Sequence, residues 1–260
     1  MSSLLSKSVL KQSVKNNWKL WAVLTGVMCF FIVVITIAMN STIGRMEGGM
    51  PGGMRDISMD TMLAQIFFGA SGMGVMLMLI YSIAVGNKLV ASEVDRGTMS
   101  FTLNTPTTRK QIIFSKAFFY ILSIVLMIVL IGISGTIASI AAGATINVGN
   151  LWLVILGCLL FGFAISGICF FASCWFNKSG QSLMIGAGLP VAFFLLSSLS
   201  PIVKISDTEF LKYFSLNTLF DTSAILSGGG FIVQFIVLFA IGFVLYFVGI
   251  NKFLKKDLPL

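Results

Sequence analysis

The chain has 260 residues, of which 57% are hydrophobic and only 10% are charged, and its mean hydropathy is +1.00. These proportions exclude an ordinary soluble domain, because soluble proteins bury apolar runs of about 10–14 residues, whereas the runs here reach the ~20 residues that cross a bilayer. The distribution of Lys and Arg along the chain therefore has to be examined before the formal net charge of +8 is taken as evidence for a partner.

The N-terminal segment, residues 1–17, predicts an amphipathic helix on the membrane surface. Four lysines recur every four residues and so share one face of a helix: Lys7, Lys11, Lys15 and Lys19. We expect this helix to lie among the lipid headgroups before the chain turns into the first span. The alternative is an unstructured basic tail that only fixes topology. A cleaved signal peptide is disfavoured, since the long apolar run after the lysines has no small-residue cleavage site behind it.

Six apolar runs are each long enough to cross the ~30 Å hydrocarbon core as a helix. The sequence therefore predicts an all-α integral membrane protein with a single transmembrane domain. The six predicted spans are Trp18–Met39, Met62–Val85, Phe118–Ala142, Trp152–Phe176, Leu183–Ser200 and Phe231–Ile250. Pro190 and two nearby glycines weaken the helix propensity of the fifth, but broken helices are tolerated where neighbouring helices satisfy the backbone.

Six spans place both termini on one side, and the basic residues indicate which side. With cytoplasmic termini, the inner segments carry 13 of the 17 Lys and Arg residues, and the outer segments carry only Arg45, Arg55, Lys204 and Lys212. This asymmetry follows the positive-inside rule and predicts a multi-pass protein of the cell membrane. The net charge is thus explained by topology, and no nucleic-acid partner is expected.

The predicted outer segments differ in character. Residues 40–61 are rich in Gly and Met; methionines can bind soft metals, but no Cys or His lies near, so a pliable surface is the favoured interpretation. Residues 201–230 mix aromatic and polar residues, which favours one or two short interfacial helices rather than a soluble domain, and we expect them to form an outer re-entrant hairpin before the last span. The four cysteines all fall within spans and are expected to be buried apolar residues rather than a disulfide or metal site.

The sequence contains few residues of the types that carry out catalysis. The chain has no His, no acidic residue deep in a span and no glycine-rich loop of the kind that cradles phosphates. Coupled carriers and voltage sensors usually keep ionisable groups at membrane depth, where they are costly. If the protein moves a substrate, the energy is therefore expected from another subunit, and the chain itself is not expected to be an enzyme.

The charged loop, residues 86–117, lies between the second and third spans and holds seven of the 26 charged residues. Its sequence contains Glu93, then Arg96-Gly97-Thr98, then Pro106-Thr107-Thr108-Arg109, and Lys116 at the mouth of the third span. Residues 90–96 are expected to extend the second helix, Gly97 to end it, and Thr107 or Thr108 to cap the next helix. This order resembles the first cytoplasmic loop of the permease family of type 2 ABC transporters, as does the layout of the whole chain. The match suggests a bacterial exporter of drugs or antimicrobial peptides.

The resemblance implies that the charged loop is a coupling helix that docks an ATPase. The residues that it assigns to this role are Glu93, Asp95, Arg96, Gly97, Thr98, Pro106, Arg109 and Lys116. It further implies two six-span permease subunits, identical or paralogous, above two ABC ATPase subunits, with ATP and Mg²⁺ bound by the ATPases and no cofactor in this chain. The alternative for any one charge is that it only keeps the loop hydrated and inside.

The substrate is predicted from the spans. A path lined by apolar and small side chains favours a hydrophobic or amphipathic peptide or antibiotic, with lipid, ion or glycan export as alternatives. The candidate lining residues lie in the second and fifth spans, although such residues commonly face lipid or a neighbouring helix: Phe67, Phe68, Met76, Phe193 and Phe194. Two further alternatives are a membrane scaffold or immunity protein, whose spans only hold a partner, and a stand-alone facilitator.

Overall fold

The computed structural model describes residues 5–46, 59–69, 72–99, 107–143, 147–199, 219–220, 222–226 and 230–256. Within these ranges all regular structure is helical. The helices are α1 (Lys7–Met46), α2 (Met59–Ile66), α3 (Met73–Leu89), α4 (Ala91–Asp95), α5 (Arg109–Ala141), α6 (Val148–Trp175), α7 (Ser179–Leu199), α8 (Thr222–Leu226) and α9 (Phe231–Lys255). Six stretches are long and apolar enough to cross a membrane: α1, α3 together with α4, α5, α6, α7 and α9. The predicted all-α fold class with six membrane-length helices is confirmed.

The predicted surface segment and the first span form one helix. α1 runs unbroken from Lys7 to Met46, so the predicted turn before Trp18 is absent. No Pro lies between the two parts, and nothing else in this stretch of sequence breaks a helix. The amphipathic pattern is still present in its first turns, where Val9, Ser13 and Asn17 are buried. The four lysines lie on the opposite, exposed side of the helix.

The second predicted span differs from the structure at its start. The expected helix Met62–Val85 is interrupted, because α2 ends at Ile66 and α3 begins only at Met73. The amide of Gly74 donates to the carbonyl of Phe67 at 3.0 Å. A Cβ on Gly72 would lie 2.5 Å from that same carbonyl oxygen. The break therefore depends on glycine, and the span itself is α3 continued by α4.

α6 is the central helix of the bundle and packs against α3, α5, α7 and α9. In an apolar stretch of 18 residues of α6, 72% of the residues are buried, whereas only 17% are buried in the corresponding stretches of α7 and of α9. The approach to α9 is close, since a Cβ on Gly167 would lie 3.2 Å from the carbonyl oxygen of Gly242. Small residues permit this kind of packing between helices in a membrane.

Hydrogen bonds between helices hold the apolar interior together. Tyr81 on α3 donates to the hydroxyl of Ser123 on α5 at 2.6 Å, and the indole of Trp21 on α1 donates to the Ser123 carbonyl at 2.8 Å. Tyr246 on α9 donates to Ser166 on α6 at 2.9 Å. Buried hydroxyls have few other partners in a hydrocarbon environment, so these bonds fix the rotation of each helix.

The remaining predicted elements are described only in part. α7 begins at Ser179, four residues before the expected start at Leu183, and passes through Pro190 to Leu199. Of the predicted outer hairpin, residues 201–230, the short helix α8 is described together with residues 219, 220 and 230. Most of the Gly- and Met-rich segment 40–61 likewise lies outside the described residues.

Candidate functional site at the basic end of the bundle

One end of the bundle collects the basic residues. The start of α1, the end of α3, the start of α5, the end of α6 and the end of α9 meet there, as hydrogen bonds such as Lys88 Nζ to the Asn16 carbonyl at 2.7 Å show. The basic residues at this end are Lys7, Lys11, Lys15, Lys19, Lys88, Arg96, Arg109, Lys110, Lys116, Lys178, Lys252, Lys255 and Lys256. They are the same set that the sequence analysis assigned to one side of the membrane.

The charged loop begins as a continuation of the second span. α3 ends at Leu89, the backbone bends at Val90 (φ −126°, ψ −64°), and α4 carries the chain on to Asp95. Gly97 follows with φ +69°, a left-handed conformation that strains other residues. The expected extension that ends at Gly97 is therefore observed, with a bend at Val90 that the sequence did not predict.

The return of the loop into the membrane is fixed by a capping box. The Thr108 hydroxyl accepts from the amide of Gln111, and the Gln111 side chain accepts from the amide of Thr108 at 3.1 Å. Two orphan amides at the start of α5 are thereby satisfied. Thr108 is thus the cap, as one of the two predicted candidates, and Arg109 is the first helical residue.

The loop is joined to α5 by a buried ion pair. The ammonium of Lys116, which is only 2% exposed, lies 2.5 Å from a carboxylate oxygen of Glu93, whose side chain is 25% exposed. The same ammonium donates to the carbonyl of Leu89 at 2.6 Å and lies 3.8 Å from the sulfur of Met99. A buried charge is tolerated only with such partners. Glu93 and Lys116 therefore contact each other, an arrangement that the sequence analysis did not foresee; their role toward an ATPase stays a prediction.

A second set of contacts joins the loop to α6 and α7. Asp95 Oδ2 accepts from the amide of Ser179, the first residue of α7, at 3.2 Å. Asn87 donates its side-chain amide to the Ser179 hydroxyl at 2.7 Å, and the amide of Ala91 donates to the hydroxyl of Ser173 at 2.8 Å. A carboxylate at a helix N-terminus satisfies a free amide and complements the helix dipole. α4 is consequently fastened to three spans.

The end of α9 is also tied to this region. The guanidinium of Arg109 lies 3.4 Å from the carbonyl oxygen of Lys256, and the Lys256 ammonium donates to the carbonyls of Cys174 and Trp175. Burial, together with the nearby Lys252 ammonium, lowers the pKa of Lys256 to about 8. Lys252 itself lies 4.2 Å from the ring centre of Trp175.

The other predicted coupling residues are exposed or lie outside the described residues. Asp95, Arg96, Gly97, Thr98 and Arg109 are exposed at the surface of the basic end. The Thr98 hydroxyl donates to the Glu93 carbonyl at 3.2 Å. Pro106 lies outside the described residues. The structure thus brings Glu93 and Lys116 together and leaves a short polar turn facing outward.

The five candidate path residues do not form one surface. Phe67 and Phe68 are buried and their rings meet edge to face, 5.0 Å apart. Met76 is 49% exposed, and Phe193 and Phe194 on α7 are half-buried. Within one chain, two of the five therefore fill the core. Their role as path lining remains a prediction.

Sequence reasoning missed the polar residues of α1 at this end. Gln12, Ser13, Asn16 and Asn17 line a groove of about 250 Å³ against Lys88 and α4. Their signal was present in the sequence as side-chain amides spaced at i and i+4 within a segment otherwise interpreted as basic and apolar. Among the described residues no group of three or more His, Cys, Asp or Glu is placed to hold a metal ion.

These features define a class: a multi-pass helical membrane protein with a compact charged element at one end. The family model described as ABC-2 family transporter protein matches residues 5–258. The chain belongs to this family, whose members are the membrane components of transporters and generally work with ATPase partners. No curated protein sequence matches the chain.

Proposed function

We propose that this chain is the permease subunit of an ATP-driven exporter and that the charged loop transmits movement from a separate ATPase. The observation that carries the proposal is the double attachment of α4. Its inner side is fixed to α5 by Glu93 and Lys116, and its end is fixed to α7 by Asp95 and Ser179. The turn at Arg96 meanwhile faces outward.

Such an element acts as a lever. A force on the exposed turn passes to α3 through the chain, to α5 through a buried charge pair, and to α7 through a helix cap. ATP and Mg²⁺ belong to two partner ATPase subunits, and the chain supplies no chemistry of its own. To change the ratio of two membrane conformations by a hundredfold, the ATP-bound partner has to favour one of them by about 2.7 kcal/mol.

Two copies of the permease, identical or paralogous, would enclose the substrate path. α7 and α9 are the spans least buried within one chain, and they leave broad apolar faces for lipid or a second copy. Among described residues the one ion pair is Glu93–Lys116, which lies at the basic end. A path through apolar spans favours a hydrophobic or amphipathic peptide or antibiotic as the substrate. Export of a lipid, ion or glycan is the alternative within this function.

The proposed location is a bacterial cell membrane with both termini in the cytoplasm. The basic end contains the start of α1 and the end of α9, and a concentration of Lys and Arg marks the cytoplasmic side. This orientation gives the exposed turn of the charged loop access to a cytoplasmic ATPase.

The docking claim is tested by co-purification with the partner ABC ATPase. Arg96→Glu reverses an exposed charge on the turn, and we expect it to lower ATPase retention about tenfold, which corresponds to ~1.4 kcal/mol. Lys15→Glu makes the same charge change on the exposed stripe of α1 and serves as the matched control. Equal retention by the two variants would refute docking at this turn.

Glu93→Arg is a poorer test because it would also place a second cation beside Lys116 and disturb the fold. A membrane scaffold or immunity protein is the other candidate function, and a stand-alone facilitator is a further one. Reconstitution separates the three: an exporter moves peptides or drugs only with the ATPase and ATP, a facilitator moves them without ATP, and a scaffold moves nothing.

A further inference from the structure

The α1–α4 groove is a polar cavity of about 250 Å³ at the basic end, and most of its lining residues have no part in the proposed transport function. It is smaller than the ~300–1,000 Å³ of a typical drug-sized pocket but larger than the space needed by one water molecule. The lining residues are Gln12, Ser13, Asn16 and Asn17 of α1, with Lys88, Leu89, Ser92, Glu93, Arg96 and Thr98.

The groove carries an excess of positive charge. Lys88 is held at its edge by a hydrogen bond to the Asn16 carbonyl, and Arg96 makes no ion pair with a described residue. The one acidic lining residue, Glu93, is already paired with the buried Lys116. A phosphate fits this charge pattern, because Arg and Lys together bind phosphate oxygens by charge-assisted hydrogen bonds.

The groove also contains a buried acceptor without a donor. The side chain of Asn17 is only 3% exposed, and its amide nitrogen donates to the Ser13 carbonyl at 2.9 Å, which fixes the orientation of the amide. The amide oxygen Oδ1 receives no hydrogen bond from any described residue. Buried acceptors are nearly always satisfied, so this oxygen is available to a donor from outside the chain, which is either an ordered water or the hydroxyl of a ligand in the groove.

The position of the groove points to a lipid as the source of both groups. Its α1 residues lie at the same level along the helix as the exposed Lys15 and Trp18, residue types that are typical of the membrane interface. From Asn16 the same face of α1 continues toward the membrane interior through residues spaced three, four or seven apart. These apolar side chains are exposed and can contact an acyl chain: Leu20, Val23, Phe30 and Val34.

We propose that the α1–α4 groove binds the headgroup of a membrane phospholipid, with phosphatidylglycerol as the best match. Its phosphate lies between Lys88 and Arg96, a glycerol hydroxyl donates to Asn17 Oδ1, and an acyl chain follows the exposed face of α1. The site adjoins Glu93 and α4, so a bound lipid links the composition of the membrane to the element proposed as the lever.

The test uses the purified full-length chain without any ATPase, and measures lipid binding by native mass spectrometry in detergent. Three probe lipids with the same acyl chains separate the two interactions. Phosphatidylglycerol offers phosphate and hydroxyl donors, phosphatidylmethanol offers the same negative charge without a donor, and phosphatidylcholine is zwitterionic and has no donor. We expect phosphatidylglycerol to bind about fivefold more tightly than phosphatidylmethanol, the increment of one hydrogen bond, and phosphatidylcholine to bind most weakly.

Variants assign the binding to the groove. Asn17→Leu, which is close in size, should abolish the difference between phosphatidylglycerol and phosphatidylmethanol but keep both above phosphatidylcholine. Lys88→Gln should weaken both anionic lipids, whereas Lys15→Gln, which removes the same charge outside the groove, should not.

Two results would overturn the proposal. One is equal binding of phosphatidylglycerol and phosphatidylmethanol to the unaltered chain. The other is an equal loss with Lys15→Gln and Lys88→Gln, which would mean diffuse attraction to the basic end. Because no ATPase is present, failure here leaves the docking test of the proposed function unaffected.

Discussion

Two charges only three residues apart, Glu93 within α4 and Arg96 at its C-terminal cap, lie in different environments. On the inner side of α4 Glu93 reaches a lysine that is almost wholly buried, whereas Arg96 at the end of the helix is exposed to solvent. A buried pair is costly to break, whereas an exposed charge contributes little to stability. The comparison teaches that the charged loop is part structural anchor and part free surface, a division that its sequence does not reveal.

The largest loss of stability is expected on the inner side of α4, where Glu93 pairs with Lys116. Lys116→Met removes the buried ammonium and leaves Glu93 without its partner, so the free energy of unfolding should fall by about 2–3 kcal/mol. This is below the ~3–5 kcal/mol of a fully buried pair, because Glu93 is a quarter exposed. Denaturant titration in mixed micelles measures the loss. Lys110→Met deletes an exposed charge from the same helix and should cost less than about 0.5 kcal/mol; a similar loss in both would remove the distinction.

At the turn after α4, the contribution to stability is expected to come from the backbone conformation of Gly97 and not from side-chain contacts. Gly97 has φ +69° and a Cβ there would touch nothing within 4 Å, so Gly97→Ala should cost about 1 kcal/mol through conformation alone. Gly188 lies inside α7 with equal free space, and Gly188→Ala should instead stabilise the protein by about 0.5–1 kcal/mol. Thermal unfolding in detergent compares the two. Gly97→Asn should recover part of the loss, because Asn tolerates the left-handed region.

The return into α5 depends on its cap. Thr108→Ala removes the hydroxyl that accepts from Gln111 and should cost about 1 kcal/mol. Hydrogen exchange should accelerate at the amides of the first turn of α5. Thr108→Ser keeps the hydroxyl and should exchange at the original rate; acceleration in both variants would mean that the capping hydrogen bond does not hold this turn.

The smallest effect is expected at the outer end of α4. Asp95→Ala removes the acceptor of the Ser179 amide, but Asp95 is exposed, so the loss should be about 0.5 kcal/mol. The exchange rate of the Ser179 amide reports it locally. Asp95→Asn retains an acceptor and should protect that amide, which separates the loss of the cap from the loss of the charge.

The sequence predicted the six spans and the collection of basic residues at one end, because long apolar runs and lysine spacing are local properties. The capping threonine and the terminating glycine of the charged loop were also predicted from local chemistry. The break between α2 and α3 was not, since it depends on the close approach of Gly72 and Gly74 to Phe67. The turn expected before Trp18 was wrong because nothing in the sequence interrupts α1 there.

The contacts within the candidate site likewise could not be predicted from the local sequence. Lys116 was predicted at the mouth of a span, but its burial depends on the approach of Leu89, Glu93 and Met99 to its ammonium, which are contacts with residues 17 to 27 positions earlier in the chain. The groove residue Asn17 could not be recognised from its residue type, because Asn is usually exposed in proteins. Only the packing of α1 against the end of α3 distinguishes it, and that contact joins residues about 70 positions apart, as the hydrogen bond from Lys88 to Asn16 shows.

The central claim is that the charged loop is anchored to the third span by the pair of Glu93 and Lys116. A double-mutant cycle tests it most directly, with unfolding free energies measured for Glu93→Gln, Lys116→Met and the combined variant. The account predicts that the combined variant loses at least about 1 kcal/mol less than the sum of the two single losses, because neither charge is then left unpaired. Losses that add within ~0.3 kcal/mol would show that the two residues do not interact and would contradict the account.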